Sequence, residues 1–362
     1  MITSVSHVVE MWCCKPSGEN LSAERILGLV PHVLFHREGI HFMRLRRISH
    51  MLLASIFVFS VGALSQNAKP PSVEDFLGRW DPTLTAPDRE YPSWLEVRQD
   101  AGKLQAQMVG RWGNARPLPK IEFTNGQLIF VSPKEEEGRS DDMVFQATLV
   151  GETLSGTTVG PDGKTWKITG RKAPPLNEKA APAWDTPIQL FNGKDLSGWK
   201  MQGSGTTVWK VENGNLITPG DGPELVNDSK VKDFKLHVEF NCAANSNSGI
   251  YLRGRYEVQI ETDSIDEPRS HHMGGVYGFL AAARELPRKP DAWQTFDIAL
   301  IGRRVTVVQN GETIIDNQEI PGITGGALDS HEELPGPIYL QGSEKGRVAF
   351  RSIVITPARA ER

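Results

Sequence analysis

Asn247-Ser248-Gly249-Ile250-Tyr251-Leu252-Arg253-Gly254-Arg255-Tyr256-Glu257-Val258-Gln259-Ile260-Glu261 reads as two short strands joined at Gly254-Arg255. Side chains on a strand alternate between faces. On the first strand Ile250 and Leu252 share one face, and Tyr251 and Arg253 share the other. On the second, Tyr256, Val258 and Ile260 oppose Glu257, Gln259 and Glu261. Burying the apolar face leaves a carboxylate, an amide and a carboxylate in a row, with Arg253 beside them. Sugar hydroxyls are held by fixed polar groups and planar side chains, so this row is a candidate carbohydrate site. A half-exposed amphipathic hairpin shows the same alternation, and the neighbouring chain has to decide between the two.

That neighbourhood is strand after strand. Phe191-Asn192-Gly193-Lys194-Asp195-Leu196-Ser197-Gly198-Trp199 opens a β-rich unit, and Asn213-Gly214 marks a hairpin turn. Phe234, Leu236, Val238 and Phe240 alternate with Lys235, His237 and Glu239; His237 reads as a surface residue of that strand. Further strands are expected at 294–300, 304–309, 313–316, 338–341 and 348–355, with a hairpin around Asn310-Gly311. With no long helix between them, they predict a two-sheet sandwich over residues 184–357, followed by a tail at 358–362.

Residues 66–172 predict a second, smaller antiparallel β-barrel or sandwich. Asn125-Gly126, Gly151-Glu152 and Asp162-Gly163 punctuate its strands. Gly78-Arg79-Trp80 resembles the Gly-x-Trp opening of lipocalin-like barrels, and reads equally as a Trp that plugs a barrel end. Glu135-Glu136-Glu137 reads as a solvated loop. Residues 173–183, rich in Pro and Ala without periodicity, read as the linker.

The chain has 362 residues, 39% of them hydrophobic, with 35 Gly and 24 Pro, a composition for short strands and many turns. A net charge of −4 gives no case for nucleic acid or an anionic membrane surface. Met43-Arg44-Leu45-Arg46-Arg47, an apolar run over 51–64 and the small residues of Ala63-Leu64-Ser65 together form a signal-peptide pattern over 43–65. Its apolar run is short for a membrane span. The mature chain is therefore expected to be exported, periplasmic or extracellular, without a membrane span. Residues 1–42 precede that signal and are expected to be a mis-assigned start. Cys13 and Cys14 fall there, which leaves Cys242 alone, with no intramolecular disulfide and no thiolate metal site.

Several blocks from Trp184 onward match a known family in order. They are Leu190-Phe191-Asn192-Gly193-Lys194-Asp195-Leu196-Ser197-Gly198-Trp199, Trp209-Lys210-Val211-Glu212-Asn213-Gly214, the hairpin quoted first, Trp293-Gln294-Thr295-Phe296-Asp297-Ile298, Gly336-Pro337-Ile338-Tyr339-Leu340-Gln341-Gly342 and Phe350-Arg351-Ser352-Ile353. The unit resembles the 3-keto-disaccharide hydrolase domain family, formerly a domain of unknown function. The resemblance implies a concanavalin-like jelly roll with a concave sugar-binding face, and a secreted hydrolase or lyase acting on 3-keto-glycosides. It covers nothing before residue 184.

A ketone at C3 acidifies the C2 proton, and a base that removes it allows O1 to leave. Such chemistry needs a base near C2, a donor at the ketone oxygen and an acid near O1. Glu257, Arg253 and Glu261 supply those types, and His272 is the next candidate base. Gln259 and Gln341 would hold hydroxyls, and Tyr251 or Trp293 would stack on a ring. The residues point to no particular cofactor, and either Arg253 or a bound divalent cation could stabilise the oxygen. His271-His272 could ligate a metal or shuttle a proton. Asp263, Asp266 and Glu267 could bind calcium or simply be solvated.

Two other functions fit the same residues. A conventional jelly-roll glycoside hydrolase would carry a central Asp where Gln259 stands. Its retaining carboxyl pair would be about 5–5.5 Å apart, against about 13 Å for residues four apart on a strand. A non-catalytic carbohydrate-binding module would use the same face without cleaving.

Overall fold

The computed structural model describes residues 70–176, 182–203, 208–218, 220, 222–262, 266–342 and 345–359. The expected start region 1–42, the signal segment 43–65 and Asp263 lie outside the described residues.

Tight turns set the strand registers. Asn125-Gly126, Asn213-Gly214 and Asn310-Gly311 have positive φ at both residues, and they close ladders at Thr124↔Gln127, Glu212↔Asn215 and Gln309↔Glu312. A two-residue hairpin loop needs left-handed backbone twice in succession, which Asn-Gly accepts at low cost.

The N-terminal domain is a 10-stranded sheet. Gly78–Thr85 and Thr165–Lys172 pair at its centre, and Arg116–Pro117 and Lys120–Thr124 form its edges. Lys103–Val109 and Lys120–Thr124 approach each other. The sheet thereby curls around Leu95, Phe130, Phe145 and Ile168. Trp80 belongs to the same core, and its Nε1 donates to the Phe76 carbonyl at 2.8 Å. The triple-glutamate stretch departs from expectation. Lys134–Glu137 is a helical turn, and Glu137 is buried, accepting from Ser132 Oγ at 2.7 Å and pairing with Arg111 at 3.0 Å.

The C-terminal domain is the expected all-β jelly-roll sandwich. One sheet holds β1 (Trp199–Gln202), β2 (Glu224–Asn227), β3 (Asn247–Leu252), β4 (Tyr256–Glu261) and β5 (Tyr339–Leu340), in the spatial order β1-β2-β5-β3-β4. The other has eight strands, with Phe234–Cys242 between Val348–Pro357 and Trp293–Ile301. Phe234, Leu236, Val238 and Phe240 point inward against Ile250, Leu252, Val258 and Ile260, as their alternation predicts. Cys242 is a buried free thiol.

The two domains share their packing. Trp94 and Val109 of the N-terminal sheet belong to the hydrophobic cluster of the sandwich. Trp94 meets Phe279 edge-on at 5.1 Å, and a Cβ on Gly322 would come within 2.0 Å of its ring. Part of the expected linker is tied down on both sides. Ala173 N–H donates to the Arg79 carbonyl, and Arg303 donates to the Pro174 carbonyl, each at 2.9 Å. Pro70–Arg362 accordingly forms one compact unit.

A buried acid pair crosses this joint. Burial and the neighbouring Glu332 push the Asp81 carboxyl up to about 9. Its folded pKa therefore exceeds its unfolded one, so the folded state holds an extra proton between about pH 4 and 9. The stability this provides is complete below that window and is lost as pH rises through it. Asp81→Asn, which keeps a hydrogen-bonding group without the charge, should remove the slope. Thermal melts should show the variant gaining on wild type by up to about 1.4 kcal/mol per pH unit, or up to about 5 kcal/mol between pH 5 and 9. A difference that does not change with pH would show that Asp81 ionises freely.

Candidate active site

The polar face of the five-stranded sheet opposes the core face residue by residue. Ile250, Leu252, Val258, Ile260 and Leu340 point into the sandwich. Tyr251, Glu257, Gln259, Tyr339 and Gln341 point the other way and line a cavity of about 330 Å³ with Glu224 and Asn247. Register explains the company they keep. Tyr251 stands opposite Glu257 on β4 and opposite Tyr339 on β5.

Glu257 is the more buried of the two carboxylates that line the cavity. Its Oε2 lies 2.9 Å from the Tyr251 hydroxyl, which is also 2.7 Å from the Gly325 carbonyl. One hydroxyl proton thus faces two acceptors. Gly249, opposite Gln259 in the ladder, makes room for the carboxyl, because a Cβ there would lie 2.1 Å from Glu257 Oε1. Gly249 is required for its lack of volume, since its φ is not in the left-handed region.

Tyr251 and Tyr339 stack with centroids 4.3 Å apart. Burial, with Glu224 and Glu257 nearby, raises the Tyr339 hydroxyl far above the usual phenol range. Burial and Glu257 do the same to Tyr251. Both phenols are therefore hydrogen-bond donors that keep their protons. Gln259 donates its Nε2 to Asn247 Oδ1 at 2.8 Å, but its Oε1 and that of Gln341 are buried without a partner. Buried carbonyl oxygens left unpaired cost free energy, and two of them in one polar cavity fit a hydroxyl-bearing ligand. Larger clefts of about 540 and 660 Å³ lie elsewhere, but neither combines an orphaned buried amide with a carboxylate.

The structure brings together Glu257, Gln259, Tyr251 and Gln341 of the residues expected from sequence. It places four others elsewhere. Arg253 does not share the Tyr251 face, because β3 ends at Leu252 and Arg253 takes φ of 53° in the turn. Its guanidinium is fully buried, donating to Gly302 O at 2.6 Å and to Tyr256 Oη at 3.1 Å. Glu261 is buried too, accepting from Met273 N at 2.9 Å and pairing with Arg288 at 3.1 Å, so it anchors the following loop. His272 Nε2 lies 3.0 Å from the Glu267 carbonyl oxygen, and its Nδ1 lies 3.2 Å from Glu285 without hydrogen-bond geometry. Trp293 is 37% exposed on the opposite sheet, under the Arg351 guanidinium at 4.4 Å.

His271 and His272 do not converge on one point. The His271 ring stacks on Tyr277 at 4.2 Å and its Nδ1 is 3.0 Å from Glu267 Oε2. Tyr277 in turn lines the cavity. Among the described residues no group of three or more His, Cys, Asp or Glu side chains is arranged to hold a metal ion.

Sequence reasoning missed Glu224, Tyr339 and everything the N-terminal domain contributes. Tyr339 stands two residues before Gln341, so the period of a strand could have found it. Arg89, Trp112 and Gly113 form the opposite wall of the cavity, and nothing local in their sequence announces this.

Residues 186–356 match the family model described as the 3-keto-alpha-glucoside-1,2-lyase-like domain. This segment is similar to that family. The lyase-like domain begins beyond the N-terminal sheet, so Arg89 and Trp112 lie outside the matched residues. A 3-keto-disaccharide hydrolase of Bacteroides thetaiotaomicron is 28% identical over 90 residues, which is 22% of this chain and 31% of that protein. The match thus spans less than a third of that relative's length. Two solved structures from Parabacteroides distasonis ATCC 8503, provisionally named glycosyl hydrolases, also align with the chain. One is 27% identical, covering 49% of this chain and 92% of its own, with a TM-score of 0.40. The other is 20% identical, covering 48% and 94%, with a TM-score of 0.39. No helix among the described residues is long and apolar enough to cross a membrane.

Proposed function

We propose that this protein is an exported enzyme that cleaves 3-keto-glycosides, 3-keto-disaccharides among them, by elimination across C1 and C2 followed by hydration. The observation that carries this reading is a confined carboxylate, Glu257, in one cavity with two orphaned amide oxygens. The family of the lyase-like domain and the name of the Bacteroides relative support the substrate class. The signal-peptide pattern over 43–65 supports export.

Glu257 takes the C2 proton, and the electron pair of that bond forms the C2=C3 bond of an enolate. Tyr339, a phenol too weakly acidic to give up its proton, donates a hydrogen bond to the C3 oxygen as charge develops there. This replaces the donor role expected of Arg253. The enolate collapses, C3=O re-forms, C1=C2 forms and the C1–O1 pair leaves with the aglycone. Glu224, the second carboxyl of the cavity, supplies the proton that caps O1. Water then adds hydroxyl to C1 and hydrogen to C2. Gln259 and Gln341 accept hydrogen bonds from ring hydroxyls, filling their empty acceptor positions.

The presence of two carboxylates, Glu224 and Glu257, in one cavity favours a second reading, a conventional glycosidase. One experiment separates the two. The purified chain is offered a disaccharide and its 3-keto form. Cleavage of the keto form alone, with solvent deuterium entering C2, is the expected result. Equal cleavage of both would establish the conventional glycosidase, and binding without turnover of either would establish a binding module.

A further inference from the structure

We propose that the N-terminal β domain supplies the leaving-group subsite of this cavity, with Trp112 as the platform on which the second ring of a disaccharide stacks. The proposal rests on the reading that the reacting ring lies over Glu257. The cavity, at about 330 Å³, is near the lower end for a small-molecule site. On that reading the reacting ring occupies the polar floor and the second ring extends through the solvent-facing mouth.

Trp112 stands at that mouth, lining the cavity while 44% exposed. Singly exposed apolar residues are common on protein surfaces, but the support behind this one is not what an incidental surface residue needs. The Arg111 guanidinium lies 3.8 Å from the ring centroid and backs one face. Arg111 is itself fixed by buried Glu137, whose carboxylate accepts at 3.0 Å and whose carbonyl accepts at 2.9 Å. Tyr91 braces the Trp112 ring edge-on at 6.4 Å. Burying an ion pair costs desolvation, and here its guanidinium sits among three aromatic rings, nearest to Trp112, with Trp166 at 5.4 Å and Tyr91 at 5.9 Å. An aromatic ring held in advance loses little conformational freedom when a ligand stacks on it. Arg89, exposed at the same wall, lies over the Tyr91 ring at 4.5 Å and makes no ion pair among the described residues. Its fork of N–H donors is available to hydroxyls of the outer ring.

The test compares two substrates with the same 3-keto ring, one carrying a second sugar and one a methyl group at O1. The quantity read is the ratio of their kcat/KM values, in wild type, Trp112→Ala and Trp112→Phe. Trp112→Ala should lower the disaccharide-to-methyl ratio about 10-fold or more, and Trp112→Phe should restore most of it. A ratio unchanged in Trp112→Ala overturns the subsite, whatever happens to the absolute rates. If wild type turns over neither substrate, the catalytic reading fails on its own. The same ratio, taken from dissociation constants by calorimetry, then decides the subsite. Loss of the disaccharide's advantage supports it, and no advantage to lose overturns it.

Discussion

Glu257→Gln is expected to lower turnover of a 3-keto-glycoside by about three orders of magnitude, within the range associated with a general base. The amide keeps the shape of the carboxyl and still offers an oxygen to the Tyr251 hydroxyl, 2.9 Å from Oε2 in the native site. It cannot take a proton from carbon. The thermal midpoint should therefore stay within a few degrees of wild type while exchange of deuterium into C2 disappears with turnover. Full activity in this variant would move the base to Glu224, the other carboxyl of the cavity.

Gly249→Ala should have the next largest effect, about 100-fold on kcat, without altering any group that touches a proton. The new Cβ would lie 2.1 Å from Glu257 Oε1 and 2.7 Å from its Cγ. The carboxyl must move, and displacement of a reacting group by about 1 Å costs about this much. Because both changes act through one carboxylate, they should not add. The double variant Gly249→Ala/Glu257→Gln should turn over no more slowly than Glu257→Gln alone. Multiplicative losses would mean that Gly249 serves some other part of the site.

Glu257 and Gln259 were legible because strand alternation is local, and an apolar Val258 and Ile260 fix which way their neighbours point. The same rule failed one residue past the strand. Arg253 continues the alternation of Tyr251 on paper, but its left-handed backbone ends the strand and swings the guanidinium towards Tyr256 and Gly302. Glu261 satisfied the alternation and still left the site, because Arg288 and the Met273 N–H claim its carboxylate from a loop that sequence cannot dock. Trp293 looked like a platform by residue type, yet sheet topology sets it on the far side of the sandwich. Arg89 and Trp112 were beyond reach for the same reason in reverse. Their role depends on packing between distant segments, seen in the close approach of Gly113 to Gly325 and of Asn114 to Gly278.

The shared packing around Trp94 bears on how the site exchanges its contents. A swing that lifted the N-terminal wall off the sheet would expose Trp94 now packed against Phe279 and Gly322. Baring one such side chain, about 150–250 Å² at about 25 cal/mol per Å², costs about 4–6 kcal/mol. The opened form would then be populated less than about once in a thousand molecules. The closed arrangement, with the wall packed on the sheet, is therefore the dominant state. In that state Trp112, 44% exposed, and Arg89 are the residues of the wall that bring the cavity to solvent.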